Sequence, residues 1–374
     1  MAESTHVVDL VQSRIDRFLT TREPIVALIS PDLTPLVAFS RQFLSGGKRF
    51  RALFCYWGWQ SVRAGAPTSD SAPWTGPGAE DLSAVVGAAS ALEVFHAAAL
   101  VHDDIIDNSD TRRGAASAHK LFERLHGTEG WVGSSPEFGR DSAILLGDLL
   151  LGWSDELLDE GLSTVPDRAA ALAARSEFNR MRTEVTAGQY LDILEERAWH
   201  TAPEDELCDR AMRVIEFKSA RYSVMAPLVI GAALAGGSDE QLDSLRAFGL
   251  PLGIAYQLRD DLLGVFGDAS VTGKPSGDDL REGKRTVLIA LARQGLSAQA
   301  RGVLDEQLGD PNLDAERIAA LQESILHSGA VEQVEALITE RLAESLAVMD
   351  TADLSVRAKN QLRALADKVA RRTF

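Results

Sequence analysis

At 374 residues, 45% apolar and only 6% aromatic, the chain can bury a sizeable core, which excludes a disordered protein. Its formal charge of −17, from 55 acidic against 38 basic side chains, excludes general attraction to DNA, RNA or anionic lipid, partners that call for a cationic face. Cys55 and Cys208, far apart in apolar surroundings, offer neither a disulfide framework nor zinc-ligand spacing and read as reduced core thiols of a cytoplasmic protein.

Abundant Ala and Leu, with Pro confined to a few turns, favour helices, so the predicted class is all-α, one domain over 1–374. The opening MAESTHVVDLVQSRIDRFL reads as an amphipathic helix without the basic start and apolar core of a secretory signal. GGKRFR (46–51) turns on two glycines and presents Lys48, Arg49 and Arg51, a local cationic site in an acidic chain. The Pro-, Gly- and Ser-rich stretch 63–81 is expected as a surface loop, because the segment before it is too short for its own core and helical periodicity resumes at once.

LSAVVGAASALEVFHAAALV (82–101) is apolar enough to suggest a membrane span. It carries Glu93 and His96 and runs straight into Asp103, so a buried helix is expected. YSVMAPLVIGAALAGG (222–237) is short for a crossing and is read the same way. Further loops are expected over 126–141 and 267–279, and amphipathic helices with charged outer faces from about 295 to the end.

LVHDDIIDNSDTRRG (100–114) sets Asp103, Asp104 and Asp107 directly after an apolar run. On a helix, Asp103 and Asp107 lie on one face about 6 Å apart along the axis, close enough to share a hard cation. YQLRDDLLGVFGD repeats the grammar with Asp260 and Asp261, so two helices are expected to aim carboxylates at each other across a cavity. Carboxylate oxygens as ligands favour magnesium, with manganese next. Magnesium held by few carboxylates completes its shell with water and phosphate, which predicts a phosphorylated ligand. Basic residues lie near these clusters: Arg112 and Arg113 after the first, Lys218 before SARY, Lys274 and Lys284 after the second. Together they suit a site that neutralises two polyanions, one through metal plus cations and the other through Lys and Arg.

The ordered set GGKRFR, EVFHAAALVHDD, DDIID with RRG, GQYLD (188–192), KSARY (218–222), YQLRDD (256–261) and GKPSGDDLREGKRT (273–286) resembles the trans-prenyl diphosphate synthases over most of the chain. The resemblance implies a helical bundle of the isoprenoid synthase type around a deep cavity, usually homodimeric, that joins isopentenyl diphosphate to an allylic diphosphate. It implies Asp103, Asp107 and Asp260 as ligands of three magnesium ions on the allylic diphosphate, with Asp104 and Asp261 as supporting carboxylates. Arg112, Lys218, Lys274 and Lys284 complete that anion's cage. Lys48, Arg51, His96 and Arg113 form the metal-free isopentenyl diphosphate pocket. Gln189, Ser219 and Gln257 match positions near the allylic cation.

The chemistry so implied is electrostatic stabilisation of a leaving diphosphate as its C1–O bond breaks, with no side-chain nucleophile. The sequence departs from the family in carrying Gly264 where many members have a third aspartate, Tyr256 where Phe is common and Ser219 for a usual Thr; Asp268, a turn further on, is a candidate substitute. Family tunnels are floored four and five residues before the first aspartate, here by the small Ala99 and Ala98. The next floor is Phe95, roughly 12 Å below the metals, which implies a product of about twenty carbons. A cytoplasmic location, peripheral at the membrane for product hand-off, completes the expectation.

Three rival readings follow from the same residues. Glu93-x-x-His96 and Glu123-x-x-His126 match the paired motifs of di-iron helical bundles. A terpene cyclase of the same fold needs no second diphosphate pocket. A non-catalytic subunit of a heteromeric synthase needs neither aspartate cluster.

Overall fold

The computed structural model describes residues 2–63, 81–112, 114–267 and 276–370. Most of the 63–81 loop, Arg113, Asp268, Lys274 and the terminal RRTF therefore lie outside the described residues. The fold is all-α as predicted: among the described residues the one extended element is a two-residue ladder, Thr111–Arg112 paired antiparallel with Ala115–Ala116. The chain forms two compact units: Met1–Glu177 with Pro227–Leu242 and Leu354–Ala358, and Phe178–Ala226 with Asp243–Asp353 and Lys359–Phe374.

In the first unit, helix α1 (Ala2–Ile29) confirms the amphipathic opening, followed by α2 (Thr34–Phe43), α3 (Phe50–Ser61) and α4 (Ser83–Ile106). Helix α4 is long and apolar enough to cross a bilayer by length and composition, yet 78% of its most apolar window is buried within the protein. It packs on α1, on α3 and along α6 (Ser135–Leu162), while α5 (Ala118–Glu129) also lies on α6. A core helix surrounded on several sides need not alternate polar with apolar residues, which is why its sequence imitates a span. Tyr56 and Trp57 of α3 are fully buried beside it.

The loop expected over 126–141 is much shorter, because α5 continues to Glu129 and α6 starts at Ser135. Two local features explain the error. Ser134 caps α6 by accepting from the Glu137 amide, with Pro136 in the first turn, an ordinary helix start. Gly139 is a packing residue rather than a breaker: a Cβ there would lie 2.4 Å from the His119 carbonyl oxygen, so glycine is what lets α5 and α6 approach.

Helix α7 (Arg168–Ala198) passes into the second unit at Phe178, and α9 (Ala226–Leu234) belongs almost wholly to the first; the second unit also holds α8 (Leu207–Val214), an eleven-residue π-helical stretch (Ile215–Met225) and most of α10 (Asp239–Phe266). The short helix α11 (Asp278–Glu282) ends the 267–279 loop early. Amphipathic helices follow as expected: α12 (Val287–Gly295), α13 (Ala298–Gln307), α14 (Ala315–His327), α15 (Ala330–Thr351) and α16 (Val356–Ala370). Leu258 and Leu262 of α10, Leu280, Leu288 of α12, Ile325 of α14 and Val334 of α15 share one buried cluster, which fixes where the far end of α10 sits within this unit.

Candidate active site

In the first unit the apolar periodicity of α4 runs out at the aspartates. Asp103 and Asp104 fill its last turn, and Asp107 closes it by donating its amide to the Asp103 carbonyl at 2.8 Å. Asp104 is 1% exposed, a costly place for a carboxylate without a counter-charge. The β-ladder supplies one. Gly114, at φ +75°, brings the chain back so that Ala115 and Ala116 pair with Arg112 and Thr111, and the ladder carries Arg112 beside the helix end. The Arg112 guanidinium donates to Asp104 Oδ1 through Nε at 2.8 Å and through Nη2, which also lies 3.5 Å from Asp103 Oδ2. His102, one residue before the cluster, is steadied by the Ile144 carbonyl at 3.2 Å and lies 3.6 Å from Asp148.

The three cations of GGKRFR separate. Arg49, left-handed at φ +50°, turns inward and is 6% exposed, donating to Glu93 at 3.2 Å, to Gln12 at 2.6 Å and to the Leu44 carbonyl. Lys48 stays exposed and Arg51 is half-buried, as is His96 on α4. Arg49 is thus a structural anchor, and the turn it holds leads to the two residues assigned to binding. Further down α4, Phe95 and Ala98 are buried and Ala99 is half-buried.

The di-iron reading fails on these contacts. Glu93 takes Arg49 and the Ala52 amide. Glu123 pairs with Lys120 at 2.6 Å, and His126 is held by Ser135 Oγ and the Val132 carbonyl.

In the second unit, Lys218 stands on the π-helical stretch and forms an ion pair with Asp192 of α7. The elements come this close because a Cβ at Gly188 would lie 2.3 Å from the Lys218 amide nitrogen. Gln189 sits beside that crossing with its Nε2 buried and without a hydrogen-bond acceptor, and Ser219 follows Lys218 half-buried. Sequence reasoning missed Asp192. Its signal was its place in GQYLD, one turn beyond Gln189.

Near the end of α10, Gln257 Nε2 donates to Asp261 Oδ1 at 2.8 Å. Burial, with Asp279 and Asp260 beside it, pushes the Asp261 carboxyl up to about 8, against the stabilising hydrogen bond from Gln257. Asp260 is half-buried. Arg259 faces elsewhere, clamped to both oxygens of Glu335 at 2.5 and 2.6 Å. Lys284 lies 2.7 Å from Glu282 and 3.9 Å from Asp279 Oδ1.

Both acidic groups offer oxygen donors only, the set a hard cation prefers. Among the described residues no three carboxylate, imidazole or thiol groups converge as a ready-made metal cage. Magnesium takes one or two carboxylates and draws its remaining ligands from water and phosphate. Asp103, Asp107 and Asp260 have the chemistry to hold it.

A family model described as polyprenyl synthetase matches residues 35–325. The chain is 31% identical to a geranylfarnesyl diphosphate synthase of Natronomonas pharaonis over 90% of this chain and 88% of that one. It is 30% identical to a geranylgeranyl diphosphate synthase of Sulfolobus acidocaldarius over 79% and 78%. Among solved structures it is similar to a geranylgeranyl pyrophosphate synthase of Corynebacterium glutamicum complexed with isoprenyl diphosphate and magnesium, at 40% identity and a TM-score of 0.89, covering 98% of this chain and 99% of that one.

Proposed function

The chain belongs to the polyprenyl synthetase family, and from that premise we propose how its residues share out the work of a trans-prenyltransferase. The reaction is head-to-tail condensation of isopentenyl diphosphate with an allylic diphosphate, giving a prenyl diphosphate of roughly C20 and releasing diphosphate.

Asp103, Asp107 and Asp260 hold magnesium, three ions in all, on the allylic diphosphate, with Asp104 and Asp261 in support. When bound, magnesium draws negative charge from the departing diphosphate oxygens. Arg112, Lys218, Lys274 and Lys284 neutralise the remainder of that anion. Arg112 does so while it fixes Asp104, and Asp192 keeps the Lys218 ammonium in place. Lys48, Arg51, His96 and Arg113 bind the isopentenyl diphosphate without metal. Gln189, Ser219 and Gln257 turn amide and hydroxyl dipoles toward the allylic cation, and the departing diphosphate removes the proton, so no protein base is required. Phe95, below Ala98 and Ala99, sets product length. The working enzyme is a homodimer built on a single catalytic domain, cytoplasmic and peripheral at the membrane for product hand-off.

The observation that carries the reading is the repeated placing of aspartates toward the C-terminal end of an apolar helix with a cation nearby: Arg112 on Asp103 and Asp104 in one unit, and Lys284 beside Asp279 and acting on Asp261 in the other. A terpene cyclase has no use for the cationic residues after Gly46-Gly47, and a silent subunit has no use for either acidic group.

The test is incubation of the chain with isopentenyl diphosphate and each of the C5, C10 and C15 allylic diphosphates, with magnesium or with a chelator, followed by chromatography of the dephosphorylated products. Magnesium-dependent elongation to about C20 is expected. No elongation from any primer would overturn the assignment.

A further inference from the structure

A two-stranded hairpin is marginal by itself in water, yet the ladder of Thr111–Arg112 with Ala115–Ala116 carries the guanidinium that answers the buried Asp104. Something else must hold its feet. The backbone supplies two ties: the Ser109 amide donates to the Asp104 carbonyl at 2.9 Å, and the Ser117 amide donates to the Asp110 carbonyl at 3.0 Å. Side chains supply a third. His119, in the first turn of α5 and 8% exposed, has Nδ1 3.2 Å from Ser117 Oγ and Nε2 3.6 Å from Asp110 Oδ1. Its imidazole therefore meets both feet of the hairpin, Asp110 on the way out and Ser117 on the way back.

Ser117 makes this tie in place of an ordinary one. It occupies the N-cap of α5 with extended backbone, where a serine hydroxyl normally accepts from an amide of the first turn, but its side chain makes no capping hydrogen bond. The hydroxyl is turned to the imidazole instead. A local preference given up in this way marks a residue constrained by something beyond its own helix. His119 is itself fixed from the other side. A Cβ at Gly139 would lie 2.4 Å from the His119 carbonyl oxygen, so the backbone that carries the ring is pressed onto α6. The charges nearby are Asp110, Lys120 at 3.9 Å from that carboxylate, and Glu123, paired with Lys120 at 2.6 Å.

We propose that His119 is a positioning residue for the allylic diphosphate: by joining Asp110 to Ser117 it holds the hairpin that keeps Arg112 beside the acidic end of α4, and it acts on the substrate only through Arg112. This rests on the function proposed above, which gives Arg112 to that diphosphate. The competing reading is packing, in which the ring only fills the first turn of α5 against α6. The two part over Asp110, whose side chain is 69% exposed and adds little to a packed interior. They part also over Arg112, through which a packing residue has no reason to act.

The test uses the full-length protein, with the C15 allylic diphosphate varied at saturating isopentenyl diphosphate and magnesium and a thermal melt recorded for every variant. His119→Phe keeps a ring in place, loses both polar contacts and frees the Ser117 hydroxyl to cap α5. It is expected to raise KM for the allylic diphosphate roughly three- to tenfold, the weight of one hydrogen bond. Asp110→Ala is expected to do the same at an unchanged melting temperature. His119→Gln, which keeps an N–H donor for Asp110, is expected to return KM most of the way to the wild-type value. In an Arg112→Ala background, His119→Phe should raise KM no further. A wild-type KM in either folded variant, His119→Phe or Asp110→Ala, would overturn the inference, as would an undiminished effect of His119→Phe once Arg112 is gone. Arg112→Ala with a wild-type KM, or no elongation by the wild-type chain, would instead sink the function proposed above and this inference with it.

Discussion

Arg49 illustrates how a single residue's role can depend on packing. It stands among three cations in GGKRFR, yet its left-handed backbone turns it away from the surface to meet Glu93, and both side chains are about 5% exposed. A buried pair contributes little net stability compared with an apolar pair, but stranding one partner is expensive. Arg49→Met should therefore cost about 3–5 kcal/mol in denaturant unfolding, and adding Glu93→Leu should return a large part of it. Additive losses in the double variant would show that the two do not act as a pair. His119 gives a pH dependence. Its ring is buried with Ser117 at Nδ1 and Asp110 3.6 Å from Nε2. Burial lowers its pKa below the ordinary 6.5, a shift that Asp110 only partly offsets. The unfolded chain then takes up a proton before the folded one does, so the stability His119 contributes is present above pH 6.5 and is lost as the pH falls below it. His119→Gln should flatten that part of the stability profile in urea melts between pH 7 and 5, and an unchanged slope would assign the loss to other groups.

The chain-length role proposed for Phe95 treats helix α4 as a ruler. Its last turn carries Asp103 and Asp104, and Phe95 lies two turns earlier, a spacing that helix geometry fixes at roughly 12 Å. Phe95→Leu and Phe95→Ala should lengthen the products in that order, read by chromatography after dephosphorylation. Phe95→Ala also removes a buried ring, so the melting temperature of each variant must be recorded beside its product profile. An unchanged product distribution in folded variants would leave Phe95 as a packing residue only. The same helix shows why some elements are legible in a sequence and others are not. Its apolar run and acidic end are consecutive, so periodicity and motif coincide. The 126–141 stretch misled because its glycines look like breakers, whereas Gly139 serves a close helix crossing that only the folded chain contains. The turn after the first acidic motif was likewise read as cationic residues, with no strand foreseen, because a two-residue ladder has too few side chains to leave a period.

For the molecule as a whole, the sequence by itself determined the helical class, the family, and the two acidic groups that follow apolar helical runs and whose carboxylates suit a hard cation. Each of these is written within a few helical turns, where spacing along the chain fixes spacing in space. Only the tertiary structure decided which charges answer which. It paired Arg112 with Asp104 through a hairpin, Lys218 with Asp192 across 26 residues, and Arg49 with Glu93 across 44. It also set Asp279 in the place that Gly264 leaves open. The physical reason is that an ion pair needs contact within a few ångströms in a site shielded from water. Only the packing of helices brings residues distant along the chain within that range.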